Sequence, residues 1–191
     1  MSGFLVILLS TVLANNIILQ HMVGADPALA LQRKLQLAAD MSLTLLVLLP
    51  LLNLTCYLLD VFLLLPLQLD YLRLLLFIMA ILIVSLSLKY AVRLMFPRLS
   101  SRVDDLLPFA VINTTVLGMV MLGREETTGF IHALAFGLGT AAGFSLVLLL
   151  LTATNERMEG ADVPAPFRGL PVQLITLAIV SLAFQGFAGI F

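Results

Sequence analysis

Residues 14–27 read Ala-Asn-Asn-Ile-Ile-Leu-Gln-His-Met-Val-Gly-Ala-Asp-Pro and begin inside the first apolar segment of the chain. Residues 3–24 are otherwise fit to cross a bilayer, yet Asn15, Asn16, Gln20 and His21 fall in their middle and second half. A side-chain amide in hydrocarbon must find partners or cost roughly 2–4 kcal/mol. Polar groups at that depth face a protein interior, a water-filled cavity or a broken helix. A second stretch, Phe-Ala-Val-Ile-Asn-Thr-Thr-Val-Leu-Gly at 109–118, repeats the feature, with Asn113 lying 97 positions after Asn16. The two stretches are expected to form facing halves of one intramembrane site.

Composition places the chain in the membrane. Of its 191 residues 61% are hydrophobic and 11% charged, and the mean hydropathy is +1.14. Soluble domains carry about 25% charged and about 45–50% apolar residues. A net charge of −1 argues against nucleic acid as a partner. The opening Met1-Ser2-Gly3 supplies no basic region, so the first segment is expected to be a retained span and not a signal peptide. One cysteine, Cys56, excludes an internal disulfide and a cysteine-only metal site within one chain.

Six segments are long enough to span, at about 3–24, 37–58, 71–92, 106–123, 129–152 and 170–190. Between the second and third, Val61–Leu65 is flanked by Asp60, Pro66, Gln68 and Asp70, and is expected to lie at the membrane interface. Eight of the ten basic residues (Arg33, Lys34, Lys89, Arg93, Arg98, Arg102, Arg157 and Arg168) fall on the side of odd-numbered loops. The positive-inside rule then puts those loops in the cytoplasm and both termini on the periplasmic side.

The halves repeat. Arg73 and Arg168 are 95 apart, and Ile83-Val84-Ser85-Leu86 recurs 96 positions later at Ile179-Val180-Ser181-Leu182. Each half holds three spans, so two copies of one unit insert with opposite orientation. The expected fold is a single all-α integral membrane domain over 1–191. It has six transmembrane helices as two inverted three-helix repeats, about 1–92 and about 106–191, with spans one and four interrupted.

Span five carries two small-residue faces, Gly129, Ala133, Gly137 and Ala141 on one and Gly139 and Gly143 on the other. Such faces let helices approach closely in lipid, and packing within the bundle is the expected use. His21 and His132 lack a ligand cluster at metal spacing and read as packing residues. No nucleophile triad, phosphate-cradling loop or dinucleotide fingerprint is present. The expectation is a subunit without a catalytic site or a metal site of its own.

Several motifs resemble one family. Asn15-Asn16, Leu107-Pro108 with Asn113 and Val116-Leu117-Gly118, and above all Ala161-Asp162-Val163-Pro164-Ala165-Pro166-Phe167-Arg168-Gly169 are similar to the A-subunit family of the Rnf electron-transport complex. Pro66, Tyr71-Leu72-Arg73 and the C-terminal Ser181-Leu182-Ala183-Phe184 extend the likeness over the whole length. The E subunit of the sodium-pumping quinone reductase is a more distant match. The resemblance implies a membrane subunit of a ferredoxin–NAD oxidoreductase complex that couples electron transfer to Na+ or H+ transport. It also implies a homologous six-helix partner of opposite topology (the E-type subunit), further Rnf subunits, surrounding lipid and a bacterial inner-membrane location.

In the family, two cysteines from this subunit together with two from its partner hold a [2Fe–2S] cluster in the membrane. Here those positions are Asp26 and Thr114. Thiolates are the usual ligands of such clusters, so this chain is expected not to ligate one. The family's carboxylate near the cytoplasmic end of helix three, implicated in the ion pathway, corresponds here to Lys89. Alternative readings are a cofactor-less structural paralogue in such a complex or, ranked last, an inverted-repeat secondary transporter.

Overall fold

The computed structural model describes residues 2–23, 35–95, 106–108, 110–111, 113–126, 129–158 and 160–187, and among these every regular element is helical. Helix α1 (Ser2–Leu9) runs into a π-helical turn, Ser10–Ala14, and stops. Helix α2 (Ile17–His21) resumes after Asn15-Asn16 and ends at Met22 in the left-handed conformation, φ 56°. Helix α3 (Leu35–Leu59) continues through a second π segment, Asp60–Leu64, to Leu67. After a short 3-10 turn, Asp70–Leu72, come α4 (Arg73–Met95), α5 (Thr114–Glu126), α6 (Phe130–Met158) and α7 (Leu170–Gln185).

Among the described residues three stretches are long and apolar enough to cross a bilayer, Leu35–Leu67, Asp70–Met95 and Phe130–Met158. Helix α6 is the centre of the bundle. It packs along α3 for most of its length and also meets α1, its π turn, α2, α5 and α7. A helix apolar all round belongs in such a position. The core is built from Met41, Leu45, Leu48, Leu49 and Leu52 of α3 against Phe144, Leu148 and Leu151 of α6, closed by Ile18, Phe77 and Met119.

Small residues permit the central contact. A Cβ at Gly137 would lie 2.7 Å from the Pro50 Cα, so the backbones of α6 and α3 touch there. One turn on, buried Asn53 donates its amide to the Ala133 carbonyl at 2.7 Å. Interhelical amide bonds and glycine approaches replace the hydrophobic drive that lipid removes. The outer helices show the reverse pattern. On α4 and α7 large apolar side chains face outward, Leu86 at 65% and Leu182 at 75% exposure. In water so extensive an apolar surface would aggregate, whereas lipid or a neighbouring membrane subunit would cover it in a bilayer.

Val61–Leu65 is helical and continuous with α3, which runs on through its π turn to Leu67. Asp60 is buried at 6% exposure and accepts from Arg73 Nε at 3.1 Å, while Arg73 also pairs with Asp70. An ionised carboxylate can sit beside an apolar helix end when a guanidinium neutralises it. Gln68, at φ 53°, then turns the chain toward α4.

Candidate functional site

Asn16 builds the first break. Its side-chain oxygen accepts from the Ile18 backbone N–H at 3.1 Å, capping α2, and its Nδ2 donates to the Val12 carbonyl at 3.0 Å. One amide thus serves both ends of the interruption, a freed carbonyl before it and an orphan N–H after it. The π turn before the break holds Asn15 N to the Ser10 carbonyl at 2.6 Å. Gln20 Nε2 reaches back to the Ala14 carbonyl. Asn16 is buried at 1% exposure; Asn15 is exposed and donates to Ser10 Oγ at 3.2 Å. The adjacent asparagines therefore differ, and only the second is an internal group.

The second stretch repeats this chemistry. Residues 110–111 are helical, Asn113 is not, and α5 starts at Thr114. Asn113, buried at 3% exposure, accepts from the Thr115 N–H at 2.8 Å. In both stretches the asparagine oxygen takes the N–H two residues on. Asn113 Nδ2 and Thr115 Oγ1 are buried without a hydrogen-bond partner among the described residues.

The two half-helices meet. Val23, just past α2, packs where a Cβ on Gly118 of α5 would stand, and α2 and α5 are in contact. Helix α6 forms the wall behind the first break. A Cβ at Gly143 would lie 2.8 Å from Asn16 Nδ2, and one at Gly139 would lie 2.8 Å from Thr11 Cβ. Both small-residue faces of α6 are thus used within the chain, one on α3 and the other on the broken helix. From α7, Ser181 donates to the Leu19 carbonyl at 2.7 Å, near the end of α2. Its counterpart in the sequence repeat, Ser85, is buried on α4 with no partner for its Oγ among the described residues.

Other singled-out residues separate from this centre. Asp26 lies outside the described residues. Thr114 is the exposed first residue of α5. Lys89 lines a cavity of about 300 Å³ with Ser85, Leu107 and Pro108, at the surface between α4 and the residues leading into the second break. His132 Nε2 is 3.7 Å from where a Gly3 Cβ would stand, on the α1–α6 contact. Cys56 is buried inside α3. A hydroxyl at Thr114 and a thiol enclosed in α3 do not fit a thiolate-ligated iron–sulfur cluster.

Sequence reading did not anticipate Asn53 or Ser181. Asn53 had a visible signal, an amide amid the leucines of span two. Ser181 stood in the sequence repeat and in the family likeness, but its bond to another helix was not visible, because serine in a membrane helix usually bonds its own helix backbone.

A family model described as Rnf-Nqr subunit, membrane protein, matches residues 4–191. The chain is 42% identical over 190 residues to the A subunit of the ion-translocating oxidoreductase complex of Alkalilimnicola ehrlichii, covering 100% of this chain and 98% of the relative. It is 40% identical to the corresponding protein of Pseudoalteromonas atlantica and 39% identical to that of Aeromonas salmonicida, with the same coverage.

Proposed function

The chain belongs to the Rnf-Nqr family of membrane subunits, and we propose that it works as the A-type subunit of an Rnf complex, coupling electron transfer between ferredoxin and NAD to Na+ or H+ translocation. It is a membrane subunit of an ion-translocating oxidoreductase complex. The observation that carries this reading is the match to A-type relatives along the full length of both chains. Cofactors for NAD and ferredoxin chemistry belong to other subunits.

Within that complex the chain forms one membrane domain of six spans, two inverted repeats of about 1–92 and about 106–191, in a bacterial inner membrane. Both termini face the periplasm, and a homologous E-type subunit of opposite topology is its neighbour. Supporting the repeat are the Asn16 and Asn113 caps, which take the N–H two residues on in each half. Supporting the orientation is the clustering of eight of ten basic residues in odd-numbered loops.

The paired breaks are the structural centre of the protein. Asn16 and Asn113 hold two half-helix starts inside the bundle, where backbone dipoles bear on whatever passes between the subunits. Asp26 and Thr114 occupy the family's cluster-ligand positions without supplying thiolates, so this chain contributes no cluster ligands. Lys89 replaces a carboxylate and takes no part in binding the transported cation, which it would repel.

Affinity purification of the tagged chain from its native membranes tests the assignment. Co-purification of the other oxidoreductase subunits, including an equimolar homologous six-span chain, is expected. Isolation of this chain alone, or with itself only, would refute it.

A further inference from the structure

We propose that the open cavity at the start of α7 binds the phosphate-bearing headgroup of an anionic phospholipid. This gives a role to the Ala161–Gly169 motif, which the electron-transfer assignment leaves unexplained. The cavity measures about 550 Å³ and opens to the surface between the last turns of α6 and the first turn of α7. That volume lies within the range of about 300–1,000 Å³ typical of small-molecule sites.

Its polar side is built for an anion. Arg168 lines the cavity, and its Nε donates to the Val163 carbonyl at 2.8 Å, which ties the guanidinium to its own loop. An arginine carries five N–H donors, so its two terminal nitrogens keep their donors for a ligand. Among the described residues Arg168 forms no ion pair, whereas Arg73 is engaged with Asp60 and Asp70. The planar fork suits two phosphate oxygens at once. Gln173 also lines the wall, and its Nε2 makes only a long contact of 3.5 Å with Asn155 Oδ1, so it adds a donor there.

The apolar side selects a lipid over a soluble phosphate compound. Met158 and Val172 line the same cavity. Phe167 and Leu170, the sequence neighbours of Arg168 and Gly169, are exposed at 50% and 60%, and Leu174 is exposed one turn further along α7. Helix α7 is largely uncovered, with Leu177 its one fully buried side chain among the described residues. A headgroup on Arg168 would leave acyl chains running along an apolar surface already turned to the bilayer. The cavity also sits where two apolar helices end in a proline-containing loop, the level at which cationic side chains meet lipid phosphates.

The test uses the intact complex in nanodiscs containing a phosphatidylglycerol with a photoreactive diazirine on its acyl chain. Cross-links mapped by peptide mass spectrometry are expected from the cavity residues outward along α7, Leu170–Gln185. Unlabelled phosphatidylglycerol should compete and phosphatidylcholine should not. Arg168→Gln should lower labelling about tenfold, the loss expected for a charge-assisted bidentate contact. Val172→Phe, which fills the cavity and keeps the arginine, should lower it as much. Arg157→Gln, an equal charge loss at an exposed position outside the cavity, should leave it unchanged. Labelling indifferent to headgroup, or unaltered by both cavity variants, would overturn the proposal. So would competition by inorganic phosphate, which marks a soluble-phosphate site, or labelling confined to another polypeptide of the complex, which marks a protein occupant.

Discussion

Gly143→Ala probes the first helix break most sharply. The added methyl group would lie 2.8 Å from Asn16 Nδ2, 3.3 Å from the Thr11 carbonyl and 3.4 Å from Val12 Cα. The amide must swing away, giving up its bond to Val12 and leaving a buried donor and carbonyl unpaired, at about 1–3 kcal/mol. Crowding against the Thr11 and Val12 backbone adds about 1 kcal/mol, the low end for overpacking. Alanine in a helix returns about 1 kcal/mol relative to glycine. The net loss is about 2 kcal/mol, or about 4–8 °C in thermal midpoint for a chain of this size. Detergent-solubilised protein in a thermal-shift assay reads this directly. The pairwise origin is tested in an Asn16→Ala background, where the methyl has room and the cost should nearly vanish, a coupling of about 2 kcal/mol. Equal cost in both backgrounds, or none in either, would refute the geometry. Gly160→Ala, with nothing within 4 Å of its Cβ, should change little.

Gly137→Ala should be worse than Gly143→Ala, because the methyl meets the Pro50 backbone and not a movable side chain; about 3 kcal/mol is expected by the same assay. Arg73→Met leaves Asp60 buried without its guanidinium and should cost about 3 kcal/mol, and adding Asp60→Leu should recover part of that. Asn113→Leu removes the cap on Thr115 N and should cost about 1–3 kcal/mol, whereas Asn113→Ser should retain most of the stability. Asp26→Cys combined with Thr114→Cys should create or strengthen a [2Fe–2S] signal by electron paramagnetic resonance in the purified complex. A cluster ligated by Asp26 or Thr114 in the unaltered chain would contradict the assignment of no ligands.

The break was legible at Asn16 because an amide in hydrocarbon demands partners, and a broken helix provides both a carbonyl and an N–H. What the residue string did not separate was Asn15 from Asn16. Their fates diverge through the π turn, which rotates one outward to Ser10 and the other inward to α6. The extent of α3 was hidden for a related reason. Asp60 reads as the end of an apolar segment until Arg73, 13 residues later, is seen to neutralise it. The glycines of α6 announced close approach, yet their targets depend on helix rotation, so Pro50 and Asn16 as neighbours emerged only in three dimensions. Ser181 and Leu19, 162 residues apart, lie beyond any local pattern.

In the proposed role, this chain completes a machine converting electron flow into ion movement. Membrane vesicles from cells with the gene deleted, and from the same cells complemented, allow it to be measured in one assay. Reduced ferredoxin is supplied with NAD, and 22Na+ or proton uptake is followed alongside NADH formation. Both should be lost on deletion and restored together by the complementing chain. Ferredoxin-driven uptake that persists undiminished without the chain would contradict it.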